Sequence, residues 1–250
     1  MNAPSEGRSR LRIGMLTPSS NTVLEPVTTA MLEQVPEVSV HFSRFRVTAI
    51  GLDAAAVDQF DAAPMLAAAT LLADARVDVI AWNGTSAGWL GLQSDRDLCT
   101  RIEQTTGIRA STSVLALFDL LRLRGERRIG LVTPYTTDVQ TAIVSGFARE
   151  GITVTSERHL GLRDNFSFGR VDGKTLDHAI RDVARQRPEA IVVLCTNLAA
   201  APLVARLEEE LGLPIHDSIA TTVFGALHRI GGEPTRIKNY GALFQTPLPV

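Results

Sequence analysis

Cysteine is almost absent from this chain: Cys99 and Cys195 are the only two in 250 residues. Two thiols cannot build a disulfide framework, and the five histidines, His41, His159, His178, His216 and His228, show no ligand-type spacing. A metal site is therefore not expected. Lysine is scarcer still for a chain of this length, with Lys174 and Lys238 alone, and neither is placed for a Schiff base. There is no GxGxxG after a strand and no GxxxxGK[ST], so no cofactor is implied. The formal net charge is −2, without any basic run, which excludes a nucleic-acid partner. No apolar stretch approaches the ~20 residues of a membrane span. The opening "MNAPSEGRSR" lacks the apolar centre of a signal peptide, so the expectation is a cytoplasmic protein with no membrane partner.

What is present is a core. Hydrophobic residues make up 45% of the chain and charged ones 21%, enough for one large domain or two small ones. Short β-branched runs at 12–18, 38–47, 77–83, 127–134, 152–160 and 189–195 alternate with helical periods at 22–34, 58–75, 112–124, 137–150, 174–187 and 199–212. Such alternation predicts parallel α/β sheets, with ligands gathered beyond the C-terminal ends of the strands.

Those strand-end loops occur in pairs. "RIGMLTPSSN" from Arg12 matches "RIGLVTPYTT" from Arg128, an offset of 116. "DVIAWNGTS" aligns with "AIVVLCTN" with Gly84 on Cys195, offset 111, and "TGIRASTS" with "LGLPIHDS" with Gly107 on Gly212, offset 105. Three blocks in one order indicate an internal duplication. The expected fold is two flavodoxin-like α/β halves related by a pseudo-twofold axis. The boundaries are 12–111 for the first half, 112–217 for the second, and 218–250 for a C-terminal helix and tail that returns to the first half. The cleft between the halves should hold Gly84 and Cys195 on opposite sides.

The asymmetry at that pair carries chemistry. Glycine cannot abstract a proton or attack carbon, and it leaves room; Cys195, at a strand end and followed by Thr196 and Asn197, is a candidate reactive thiol. Thr85 and Ser86 beside Gly84, and Thr196 and Asn197 beside Cys195, offer donors for an enediolate formed next to a carboxylate. Ser19, Ser20 and Asn21 precede a helix whose free N–H groups favour an anion, and Tyr135 and Thr136 occupy the matching loop. Trp82, Trp89 and Leu90 suggest an apolar pocket. Glu25 and Asp138 read as helix-dipole partners.

Together, the duplicated halves, the "TPSSNTVLE" and "TPYTTDV" loops and the "GTS" and "CTN" junctions resemble the aspartate/glutamate racemase superfamily, and within it the maleate isomerase and arylmalonate decarboxylase branch. The likeness runs from about Arg12 to about Tyr240. The resemblance implies that Asn21, Tyr135 and Asn165 sit where maleate isomerases bind substrate carboxylates. Racemases and isomerases of the superfamily have a cysteine at both junctions; Gly84 opposite one cysteine is similar to arylmalonate decarboxylase. The expectation is a cofactor-independent lyase or isomerase acting on a small carboxylic acid, with Cys195 catalytic and Ser19, Asn21, Gly84, Thr85, Ser86, Tyr135, Asn165, Thr196 and Asn197 binding substrate. The alternatives are a maleate isomerase or racemase using Cys195, and a non-catalytic carboxylate-binding protein. Homo-oligomer formation is left open.

Overall fold

The structure, a computed structural model, describes residues 10–246. The first half runs β1 (Leu11–Pro18), α1 (Leu24–Leu32), β2 (Val38–Phe45), α2 (Ala54–Asp58), α3 (Ala62–Asp74), β3 (Val79–Trp82), α4 (Ala87–Leu90), α5 (Leu92–Thr106), β4 (Ala110–Thr112) and α6 (Ser113–Arg124). The second runs β5 (Arg128–Thr133), α7 (Thr137–Arg149), β6 (Thr153–His159), α8 (Asn165–Phe168), α9 (Gly173–Ala184), β7 (Ala190–Val193), α10 (Ala201–Leu211), β8 (Ile215–Asp217) and α11 (Ser218–Ile230). Two 3₁₀ turns, Pro234–Arg236 and Ala242–Gln245, follow.

Both sheets are four-stranded and wholly parallel, in the orders β2-β1-β3-β4 and β6-β5-β7-β8. The topology is the same twice, as the duplication predicts. The offset of 111 carries Val79–Trp82 onto Ala190–Val193, and the offset of 105 carries Ala110–Thr112 onto Ile215–Asp217. β3 and β7 are buried along their whole length because helices cover both faces of each sheet. Gly107 and Gly212 sit just past the ends of α5 and α10 in the left-handed region, at φ 71° and 65°, where a side chain would be strained. Each turns the chain from a helix into a short buried strand.

The halves are joined by more than their connection. α4 packs on α7 so closely that a Cβ at Gly146 would meet the carbonyl of Gly88. α11 lies against α6, β3 and β4, so the last long helix covers the first sheet. One core cluster unites Ile13, Met15, Val79 and Ala81 with Ile219, Val223, Phe224, Leu243 and Phe244. Leu248, also expected to pack there, lies outside the described residues. Among the described residues no helix is long and apolar enough to cross a membrane.

Candidate active site

The loops after β1, β3, β5 and β7 meet between the sheets. Cys195 lies two residues beyond the end of β7, not at its last residue, and Gly84 lies two residues beyond the end of β3. Leaving the ladder turns the thiol into the cleft instead of into a sheet face. Its sulfur accepts the Asn197 backbone N–H at 3.3 Å and faces the Tyr135 hydroxyl. Tyr135, 2% exposed, shares a 2.5 Å hydrogen bond with Thr85 from the first half. Thr85, Tyr135 and Cys195 thus form one chain of protons across the cleft.

Around it the cleft is stitched by amides. Asn21 Nδ2 donates to the Thr196 carbonyl at 3.1 Å and to its hydroxyl at 3.2 Å, while Asn21 Oδ1 accepts the N–H groups of Val23 and Leu24. Asn197 Oδ1 accepts the N–H groups of Thr22 and Val23, and its Nδ2 donates to the Asn165 carbonyl. Asn165 Nδ2 reaches Ser20 Oγ at 2.7 Å, and the Thr196 hydroxyl donates to the Asn83 carbonyl at 3.0 Å. The N-terminus of α1 is therefore not an open anion site: the side chains of Asn21 and Asn197 already take its first donors. Ser20, not Ser19, joins this network. Ser19 is exposed and its hydroxyl pairs with the backbone of Val47. Arg44, bonded to Glu25 and to the carbonyls of Ser19 and Asn21, clamps that loop from outside.

The space beside Gly84 is not empty. A Cβ at Gly84 would fall against the benzo ring of Trp82, 2.7 Å from Cη2 and closer still to Cζ2 and Cε2. Room that glycine vacates is taken by the indole two residues earlier. A cavity of about 300 Å³ is lined by Trp82 together with Ser86, Leu90 and Asp95, so Ser86 faces this cavity. Trp89 stacks edge-on against Tyr135 at 5.4 Å, and its buried indole N–H has no partner. The sequence suggested only an apolar role for Trp89; its orphaned donor was not legible there. Tyr135 also meets Phe168 at 5.6 Å.

Burial decides the protonation states. It pushes the Cys195 thiol up to about 12, against the lowering effect of the Asn197 N–H and the Tyr135 hydroxyl. Burial also drives Tyr135 well above its ordinary value, with the neighbouring Cys195 adding to it. Both groups hold their protons at neutral pH. The loop after β2 is tied to the loop before α8, with Ile50 N–H on the Arg163 carbonyl, Asn165 N–H on the Thr48 carbonyl, and an Arg163–Asp53 ion pair. Cys195 is 3% exposed. Among the described residues no group of three or more His, Cys, Asp or Glu is placed to hold a metal ion.

Comparison with known proteins adds the following. The family model described as arylmalonate decarboxylase matches residues 14–244. A maleate isomerase of Geobacillus stearothermophilus is 28% identical over 244 residues, covering 93% of this chain and 96% of the relative. The arylmalonate decarboxylase of Bordetella bronchiseptica is 26% identical over 235 residues, covering 93% and 95%. Among solved structures, a cysteine-to-alanine variant of the maleate isomerase from Pseudomonas putida S16 with maleate superposes with a TM-score of 0.86 at 26% identity, over 94% of this chain and 98% of that one.

Proposed function

The chain belongs to the arylmalonate decarboxylase family, and from that premise we propose that it decarboxylates a substituted malonic acid, with Cys195 delivering one proton to the carbon that loses carbon dioxide. The observation that carries this reading is a single neutral thiol, linked through the Tyr135 hydroxyl to Thr85, whose chain neighbour Gly84 has no side chain to act as a second acid or base. Membership of an enzyme family sets aside the non-catalytic alternative.

The chemistry balances without a further reactant except a proton. The bond to one carboxylate breaks, carbon dioxide leaves, and the electron pair passes into the remaining carboxyl as an enediolate. Cys195 S–H protonates the carbon, and the resulting thiolate regains a proton from water before the next turnover. This reading assigns stabilisation of the enediolate to the hydroxyls of Tyr135 and Thr85 beside the thiol and to the unpartnered indole N–H of Trp89, which packs on Tyr135; loss of one such donor typically costs ~3 kcal/mol. Asn21, Asn165, Thr196 and Asn197 have their polar groups engaged with the protein, so they set the loops in place.

The test uses a panel of aryl- and alkyl-substituted malonates in deuterated water. The expected product carries one deuterium at the α-carbon, as one enantiomer, and Cys195→Ser lowers the rate on the order of 100-fold or more. A product racemic from the first turnovers overturns the single-acid reading.

A second reading, cis–trans isomerisation of maleate through addition of Cys195 to the alkene, is favoured by the gathering of Asn21, Tyr135 and Asn165 around one thiol, and by maleate isomerases among the relatives. It requires the thiolate, which burial disfavours. A covalent adduct on Cys195 and fumarate formed from maleate, with no carbon dioxide from malonates, decide for it.

A further inference from the structure

The two junctions differ by a pair of residues, not by one. Trp82 and Val193 are pseudo-twofold mates at the ends of β3 and β7, and Gly84 and Cys195 are mates two residues beyond. The backbones at the first pair are held alike: the Trp82 carbonyl accepts the Ser113 hydroxyl at 3.3 Å and the Val193 carbonyl accepts the Ser218 hydroxyl at 2.9 Å. Where the strand ends in small, branched Val193, the next inward position carries a thiol. Where it ends in Trp82, the indole lies over the α-carbon of Gly84 and the next inward position carries nothing.

Glycine at 84 is not there for its backbone. Gly84 is not among the glycines with positive φ, so an ordinary L-residue could adopt its conformation. What a side chain would meet first is the ring: the three heavy atoms nearest to a Cβ there all belong to the Trp82 indole. That residue is held by its surroundings: Trp82 is 1% exposed, lies tilted against Phe45 at 5.0 Å, and sits in register between Leu16 and Thr112.

We propose that Trp82 is the specificity-determining residue of this site: its indole occupies the place of the opposed side chain, and so confines the chemistry to the face served by Cys195. The proposal rests on the reading of Cys195 as the proton donor. It means that glycine at 84 is the consequence of Trp82, and that a second thiol cannot be introduced at 84 by itself.

A stability cycle tests the steric claim without any substrate. Gly84→Ala in the otherwise unchanged protein is expected to lower the melting midpoint by roughly 5–10 °C, or to prevent folding, as overpacking of a fixed core does. In a Trp82→Leu or Trp82→Val background the same substitution should shift the midpoint far less, or restore a folded protein. If Gly84→Ala is tolerated with Trp82 present, the proposal is wrong, whatever the Trp82 variants do.

An activity arm then tests the consequence. The Trp82→Leu/Gly84→Cys double variant can take the α-proton of a product acid with one thiolate and return a proton to the other face from Cys195. It should racemise that acid on the order of 100-fold faster than either single variant. Steric coupling with a wild type that decarboxylates, but no racemisation by the double variant, overturns the specificity claim. Steric coupling with a wild type inert on every malonate overturns the decarboxylase reading and leaves the exclusion by Trp82 supported.

Discussion

Burial holds protons on more than the thiol. Asp217, the last residue of β8, is wholly buried; its Oδ1 accepts the N–H groups of Ile219 and Ala220 at the start of α11, while Oδ2 has no partner. Asp95 is buried at the start of α5, bonded to the Thr112 hydroxyl. Burial pushes both carboxyls up to about 7. A carboxyl raised in the folded state binds protons that the unfolded chain has already released. Stability is therefore highest below the ordinary carboxylate value of 3.8 for these two groups and falls as pH rises to about 7, above which the penalty is constant. The half-buried carboxylates that ion pairs lower, such as Asp177 and Asp182, exert their pH dependence only below that window. The expected outcome is a lower denaturation midpoint at pH 8 than at pH 5, and an Asp95→Asn/Asp217→Asn variant in which that difference shrinks. Equal midpoints in the wild type would show that the two carboxyls are solvated after all. At this scale the matched junctions single out Cys195, Tyr135, Asn21 and Asn197 in the sequence, whereas Asn165 is reachable only through the family resemblance. The sequence could not show which neighbour fills the space at Gly84, since nothing in the order of residues says where a ring folds back.

Among the elements, α1 depends on the other half for its first turn. Asn197, from the loop after β7, takes the N–H groups of Thr22 and Val23 and gives a hydrogen to the Asn165 carbonyl. Asn197→Ala takes the side-chain partner from the Thr22 N–H and the Asn165 carbonyl, while Val23 N–H keeps Asn21 Oδ1; the cost is about 1–3 kcal/mol, and the loop that carries Cys195 is freed. Turnover should fall along with stability, whereas Ser19→Ala, outside the network, should change stability little; calorimetry and initial rates on the same preparations check both. The long strands and most helices are plain in the sequence because their apolar periods are continuous. α5 is not, because its buried stripe of Leu92, Leu98 and Ile102 is interrupted by the buried carboxyl of Asp95. β4 and β8 are three residues each, "AST" and "IHD", with polar side chains spent on capping and on hydrogen bonds in the interior. No alternation can appear in three residues, and only the repeat offset betrays them.

At the scale of the molecule, two sheets of one topology do not make two folding units. α11 and the turn at Ala242–Gln245 supply Ile219, Val223, Phe224, Leu243 and Phe244 to the core of the first sheet. Denaturation followed by fluorescence and by circular dichroism should give one coincident transition, and a fragment ending at Gly125 should fail to fold; a stable fragment would refute the shared core. The same crossing sets an order of events as the chain leaves the ribosome. The strands made first, β1 and β3, are covered on one side only in part, by α1, until residues 219–244 emerge, so the first half completes its core only when the last residues of the second are made. Two copies of one topology thus mature unequally, the older end of each nascent chain waiting for the younger, and that interval is when its exposed apolar surface is most prone to aggregate.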